Sequence, residues 1–369
     1  MKSQTPCFVN NEFGTLKRVV VGTELNFTKR QMDFTFRNMF KENLKLDSIY
    51  NNIFENYELN YELVQERIQD LDNLAKVLED RGIEVIRPDT YELPNYFDYN
   101  GKNQIKSAAS NVRDITLTYK DLVIETQISV INRLHENELF MDKVKNRIQG
   151  NKFIKMPIMP ITNSAIDSGE WLNVQERIRK MTGEEALNLM PYMDAANIIK
   201  INDDIICNIG SINQWKSSQL LENIIKTYYP NVEFHRMFIA DSHIDGTLIP
   251  LKEGVFLVNE RFLNTDYIKS SLPEKFQNWT LIYAQDTYEE DRKYWDNISK
   301  NPIALASSRG MDINVLSLNR SEVLINDDAV RTADLLYKHY FQPIPIKFRH
   351  GEIFAGGIHC STLDLERGS

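Results

Sequence analysis

The chain has 369 residues, is 42% hydrophobic and carries a formal net charge of -9, an apolar content sufficient for a sizeable core. The acidic balance and the lack of any Lys and Arg run exclude nucleic acid as a partner, since phosphate binding is driven by clustered positive charge. No stretch of about 18 uncharged apolar residues occurs and the opening Met-Lys-Ser-Gln-Thr-Pro-Cys lacks an apolar leader core, so neither a spanning helix nor a membrane partner is expected.

In chain order, a strand is predicted at residues 16–21, followed by an irregular, Asn-rich stretch at 28–60 read as an insertion. The clearest helix places Val64, Ile68, Leu71, Ala75 and Leu78 on one apolar stripe, with Gly82 as its C-terminal stop. A strand at 83–86 follows. Pairs of short strands joined by tight polar turns are then read at 115–125 across Tyr119-Lys120-Asp121, at 198–209 across Asn202-Asp203-Asp204, at 247–259 across Lys252-Glu253-Gly254 and at 315–326 across Asn319-Arg320-Ser321. Less regular helices are expected at 217–226, 288–298 and 329–340, and single strands at 232–238, 281–284 and 344–348. The recurring unit is hairpin, helix, strand, which makes the fold class mixed α/β, built as a repeat. The longest interval, 127–193, is punctuated by Pro157, Pro160 and Gly169 and reads as loops and helices grafted onto one repeat. Without a Gly-, Ser- or Pro-rich linker, a single domain over 1–369 is expected, with insertions near 28–60 and 127–193.

The three cysteines, Cys7, Cys207 and Cys360, form no CxxC pair and no metal-ligand spacing with histidine. Neither a disulfide framework nor a structural zinc site is expected, and a reducing, cytoplasmic compartment is the default.

Polar residues recur at one place in the repeat. Asp114 leads into the first hairpin, Asp194 stands before the second, His243 and Asp245 before the third, and Ser307 and Ser308 before the fourth; Cys360, in Gly-Gly-Ile-His-Cys, is expected to begin the last strand. Units arranged about an axis would turn these residues toward one cleft. Such a set suits a guanidino group, whose planar, resonance-stabilised cation needs a strong nucleophile at its carbon and carboxylates along its N–H fork. Cys360 would supply the thiolate, Asp114 and Asp194 the fork partners, and His243 the proton transfers. The plainer readings are that Cys360 is a small buried hydrophobe, that Gly356 and Gly357 form a simple turn, that His243-Ile244-Asp245 is a surface loop, that Asp194 caps a turn and that Asp114 pairs with Arg113. His135, His235, His339, His350 and His359 read as structural, the last because neighbours on a strand face opposite ways.

The constellation resembles the amidinotransferase family of guanidino-group-modifying enzymes, which includes glycine amidinotransferase. The resemblance runs from Asn11-Glu12-Phe13-Gly14-Thr15-Leu16-Lys17-Arg18-Val19-Val20-Val21-Gly22 through Val112-Arg113-Asp114-Ile115, Met193-Asp194-Ala195-Ala196-Asn197 and Asp241-Ser242-His243-Ile244-Asp245-Gly246-Thr247 to the terminal Gly-Gly-Ile-His-Cys. It implies the pentein fold, a pseudo-fivefold αβ propeller of ββαβ modules whose last module is completed by the two chain ends. It also implies a cofactor-free, metal-free ping-pong reaction, in which L-arginine gives its amidino group to Cys360, ornithine leaves and an amine acceptor collects the group. By the same resemblance His243 is acid and base with Asp194 as partner, Asp114 and Asp245 hold the guanidinium, Arg261, Ser307 and Ser308 hold the donor's carboxylate and amine, Ser242 lines the acceptor side, and the protein is a homodimer. Asn197, Ser242 and Ala240 depart from the glycine-using pattern of acid, methionine and asparagine, which puts glycine in doubt and leaves the acceptor open among glycine, a longer lysine-like amine and a specialised-metabolite precursor. The competing readings are an arginine deiminase or dihydrolase of the same fold, and a non-catalytic guanidino-binding protein.

Overall fold

A computed structural model describes residues 6–27, 29–31, 35, 56–58, 60–91, 95–97, 103–158, 163–167, 169–241, 243–259, 264–284, 311–351 and 353–368. Five three-stranded sheets recur, each an antiparallel pair whose second strand is joined in parallel by a third. A parallel third strand cannot be reached by a tight turn, so a helix carries the chain across each time. In the first module Thr116–Tyr119 and Leu122–Glu125 are followed by helix Met141–Arg147 and strand Lys152–Lys155. The second runs Ile198–Ile201, Asp204–Asn208, helix Ile212–Tyr228, Glu233–Met237; the third runs Leu248–Lys252, Val255–Asn259, helix Thr265–Ser271, Thr280–Ala284. The fourth comprises Leu316–Ser317, Glu322–Asn326, helix Val330–Lys338 and Gln342–Ile346. The fifth is shared by the chain ends: Thr362–Arg367 pairs antiparallel with Leu16–Val21, and helix Tyr61–Glu79 leads to Glu84–Ile86, parallel to Leu16–Val21.

Burial falls from the first strand of each module to the third. Every residue of Thr116–Tyr119 and Ile198–Ile201 is buried, whereas Lys152–Lys155 has none buried and Gln342–Ile346 only Ile346. The first strands therefore line the centre and the third strands form the outer edge. Apolar clusters fill the seams between neighbouring modules: Val20, Leu363 and Val123 join the fifth to the first, Leu117, Tyr119 and Ile205 the first to the second, Ile199, Ile206 and Leu248 the second to the third, Leu257, Ile282 and Val323 the third to the fourth, and Leu324, Val19 and Leu71 the fourth to the fifth. Burial at every seam closes the ring.

Strands buried all round leave no solvent for their polar side chains, so these pair at the centre. Arg113 bonds Glu12 (3.2 Å) and Asp364 (2.9 Å), Lys200 reaches Glu12 (3.2 Å), and Arg367 holds Asp364 (2.8 Å). The neighbouring cations hold Glu12 well below the usual carboxylate range against the upward push of burial, the arrangement a buried charge requires.

The four predicted hairpins lie where expected, but the interval 127–193 opens with the first module's own helix and third strand rather than with an insertion. Lys152–Lys155 reads Lys-Phe-Ile-Lys on an outer edge and lacks an apolar run. Thr265–Ser271 was also silent in the sequence: among its described side chains only Ile268 is fully buried, and its start depends on Asn264, whose side chain accepts the Tyr267 N–H at 2.9 Å. The predicted helix at 288–298 and most of the predicted insertion at 28–60 lie outside the described residues; within the latter, Lys29–Gln31 pairs antiparallel with Asn56–Glu58. The last strand starts at Thr362, so Cys360 lies in the turn before it rather than on it. Among the described residues no helix is long and apolar enough to cross a membrane.

Candidate active site

A short 3-10 turn precedes the first strand of each of the four hairpins, and each turn delivers a polar side chain to the centre. Asp114 ends the turn Val112–Asp114, Asp194 precedes Ala195–Asn197, His243 and Asp245 bracket the start of Ile244–Gly246, and Asn314 follows Met311–Ile313. The turns of successive modules touch one another, and the turn carrying Cys360 meets them from the fifth module. The loop holding His243 is clasped by Asn208, whose Oδ1 accepts the N–H groups of Ile239 and Ala240 and whose Nδ2 donates to the Ala240 carbonyl at 2.9 Å. Gly210 makes that approach feasible, because a Cβ there would sit 1.8 Å from the Asp241 carbonyl oxygen. Asn197 donates to the Asn208 carbonyl at 3.2 Å, a bond that an aspartate at this position would lose.

Cys360 is buried, with Sγ 3.3 Å from Asp245 Oδ2 and 3.1 Å from Asn314 Nδ2. The His243 ring lies between two carboxylates, Nε2 at 2.8 Å from Asp194 Oδ2 and Nδ1 at 3.7 Å from Asp114 Oδ1. Asp194 is oriented by Ser129, whose N–H and hydroxyl donate to its two oxygens at 2.7 and 3.0 Å. Asp114 accepts from Arg133 at 2.7 Å on Oδ2, and its buried Oδ1 accepts no hydrogen bond from the described residues. Asp245 Oδ2 also meets His359 Nδ1 at 2.8 Å.

Burial works against the charge on His243, but the carboxylates of Asp114, Asp194 and Asp245 outweigh it and raise the imidazole pKa to about 9. Burial likewise pushes Asp194 and Asp245 up, yet the hydrogen bond and charge of His243 hold the first below its usual range and those of His359 the second. Asp114 is the exception, since burial there exceeds what His243 and Arg133 offset and its pKa rises. The Cys360 thiol is pushed well up by burial and by the negative charges of Asp245 and Asp114. Among the described residues the pocket thus holds a thiol pushed toward its neutral form and an oxygen of Asp114 without a donor, an electrostatic setting that favours positive charge.

Several sequence readings change. Asp194 makes no capping bond to its turn, and Asp114 pairs with Arg133 rather than Arg113, which is committed to Glu12, Asp364 and the His359 carbonyl. His359 is not turned away from the site, because residues 358–361 form a turn in which strand alternation does not apply. Gly356 and Gly357 admit protein side chains: a Cβ at 356 would meet Asn111 Oδ1 at 2.1 Å, and one at 357 Asn314 Oδ1 at 2.6 Å. Ser242, Arg261, Ser307 and Ser308 lie outside the described residues. The sequence reading missed Asn314, Ser129, Arg133 and the role of His359 as a partner of Asp245. Of these only Asn314 had a signal, since it immediately precedes the fourth hairpin, as Asp114 precedes the first.

His235 was read as structural, and it belongs to a group with Asp204 and Glu233 whose ligand atoms lie within 4.8 Å of one another. Lys275 already bridges that group, at 2.7 Å from Asp204 and 2.8 Å from Glu233, so a protein cation occupies the place a metal would take. An open cleft of about 720 Å³ lies between helix Val174–Lys180 and the start of Ile212–Tyr228 and contains none of the residues around Cys360.

No protein-family model matches the chain. Among solved structures, it is similar to inosamine-phosphate amidinotransferase from Streptomyces griseus (TM-score 0.79, 19% identity, 99% of this chain and 98% of that one) and to an amidinotransferase from Microseira wollei in the saxitoxin biosynthetic pathway (TM-score 0.74, 23% identity, 99% and 98%). The likeness to dimethylarginine dimethylaminohydrolase from Pseudomonas aeruginosa is more distant (TM-score 0.52, 13% identity, 95% and 99%). The protein therefore has the pentein fold common to these transferases and hydrolases. Within that class its curated homologues are amidinotransferases. They include L-arginine:L-lysine amidinotransferase of Pseudomonas savastanoi pv. phaseolicola, 25% identical over 302 residues that span 81% of this chain and 78% of the relative. Inosamine-phosphate amidinotransferase 1 of Streptomyces griseus is 21% identical over 371 residues, 97% and 96% of the two chains.

Proposed function

We propose that this protein transfers the amidino group of L-arginine to an amine through a covalent intermediate on Cys360. The observation that carries the reading is the meeting of a buried cysteine, an imidazole and three carboxylates at the ends of separate modules, around a site whose electrostatics favour a cation. As the guanidinium docks on Asp114 Oδ1 and Asp245, its charge offsets the carboxylates that keep the thiol protonated, and the proton leaves sulfur to water, returning to sulfur when the thiolate is regenerated and the product departs. Sγ then bonds to the guanidinium carbon while the bond from that carbon to the δ-nitrogen of ornithine breaks. The electron pair goes to that nitrogen, which takes the proton of the His243 imidazolium. In the second half, the acceptor nitrogen bonds to the same carbon and yields its proton to His243, and the C–S pair returns to sulfur. Asp194, fixed by Ser129, holds the ring for both transfers.

A long amine acceptor is the reading we favour over glycine, supported by the small Ala240 and by the L-arginine:L-lysine relative. Incubation with guanidino-labelled arginine and a panel of amines, glycine and lysine included, tests both points, with mass spectrometry of the small molecules and of the intact protein. Ornithine, a labelled guanidino product and a labelled adduct on the protein are expected, all lost in Cys360→Ala with the fold unchanged. Citrulline or ammonia in place of the guanidino product would make the protein a hydrolase, and turnover by Cys360→Ala would refute the covalent route.

A further inference from the structure

We infer that Asn314 stabilises the thiolate of Cys360 and aims it, a positioning and catalytic role that rests on Cys360 being the nucleophile. One carboxamide binds one residue twice: Oδ1 accepts the Cys360 N–H at 3.0 Å and Nδ2 donates to Sγ at 3.1 Å. The first bond sets the amide's orientation, since a flipped amide would oppose two N–H groups. Asn314 is itself held at both ends of its backbone, its N–H donating to Met311 at 3.0 Å and its carbonyl accepting from His359 at 3.2 Å. It is buried, and a Cβ at residue 357 would meet its Cβ at 2.7 Å, so the second glycine of Gly-Gly-Ile-His-Cys is the residue that makes room for this side chain.

Among the described residues, the two polar side chains at the sulfur have opposite characters. Asp245 Oδ2, at 3.3 Å, accepts from a thiol and repels a thiolate; Asn314 Nδ2 is a donor, which a thiolate requires and a thiol does not. In the proposed cycle sulfur carries the negative charge twice, before attack and again when the C–S pair returns to it. The substrate's cation offsets the carboxylates only while it is bound, whereas the amide N–H faces sulfur in both half-reactions. The same N–H limits where the lone pairs point, because the amide is anchored by the residue it assists.

Two substitutions separate this role from simple support of the turn. Asn314→Asp keeps the shape and the acceptor for the Cys360 N–H but removes the donor; Asn314→Leu removes the donor without adding charge. The readout is the pH dependence of Cys360 alkylation by iodoacetamide in the full-length protein, followed by peptide mass, alongside kcat and KM for arginine. In both variants the alkylation midpoint should rise by about one pH unit or more, a tenfold loss of thiolate at fixed pH, and kcat should fall about 100-fold with KM changed less than about threefold. An unchanged alkylation profile in either folded variant, even with kcat reduced, overturns the inference. Alkylation needs no turnover, so it tests Asn314 even if the acceptor proves wrong, whereas turnover by Cys360→Ala would instead defeat the nucleophile assignment. Should Asn314→Asp not fold, Asn314→Leu decides alone.

Discussion

At the scale of single residues, the free site is organised to be incomplete. His243 is held between Asp194 and Asp114 with its pKa raised to about 9, so in the proposed reaction it would enter as the acid that ornithine's departure requires. Because the folded value lies above the 6.5 of a free imidazole, His243 stabilises the fold fully below pH 6.5, and this contribution is lost as pH rises through about 9. Wild type should therefore exceed His243→Asn in stability by an amount that shrinks from at most about 3 kcal/mol at pH 6 toward zero above pH 9. Urea unfolding of both proteins across that range is the check, and a constant difference would place the proton elsewhere. That Cys360, His243, Asp194, Asp114 and Asp245 are gathered at one place was legible in the sequence, because each stands at a repeated position ahead of a hairpin or in a motif. Arg133 and Ser129 were not, because they reach the site from residues 19 and 65 positions away from their partners, and nothing local marks such a pairing.

At the scale of elements, the first strand of each module is a poor match to ordinary alternation. Both its faces are covered, so Lys200, Thr118 and Asp364 are as buried as their apolar neighbours, and each finds a partner in another module, Lys200 on Glu12, Thr118 on the Asp364 carbonyl and Asp364 on Arg113, with Arg367 of its own strand as a second cation for Asp364. Glu12, in the segment that leads into the closing strand, holds Lys200 and Arg113 together. Glu12→Ala should leave two buried cations facing each other and cost about 3–5 kcal/mol, read as a lowered urea midpoint with an unchanged slope; a loss under about 1 kcal/mol would mean that water or Asp364 takes over the pairing. Helix Tyr61–Glu79 shows the same limit. Its stripe at Val64, Leu71, Ala75 and Leu78 was visible by spacing, but buried Arg67 was not; it donates to the Gly356 carbonyl at 2.8 Å and to Ser361 at 3.0 Å, bracing the turn of Cys360 from the far side.

At the scale of the whole molecule, the ring brings residues from every module to one centre, and in the proposed reaction donor and acceptor would be served there by a single nucleophile in turn. Initial rates with both substrates varied should give parallel double-reciprocal lines, and intersecting lines would require both substrates to be bound at once. The closing module, built from strands separated by most of the chain, is what places Cys360 opposite the four other turns. By itself the sequence determined the hairpins, the long amphipathic helix and the chemical types gathered before each hairpin, because turn residues and apolar periodicity act over a few positions. Only the tertiary structure decided which atoms meet: that Asp194 holds His243 rather than a cap, that Arg133 takes one oxygen of Asp114, and that Asn314 faces the sulfur. Those choices depend on burial at the seams between modules and on the pairing of charges cut off from water, both of which exist only once the ring has closed.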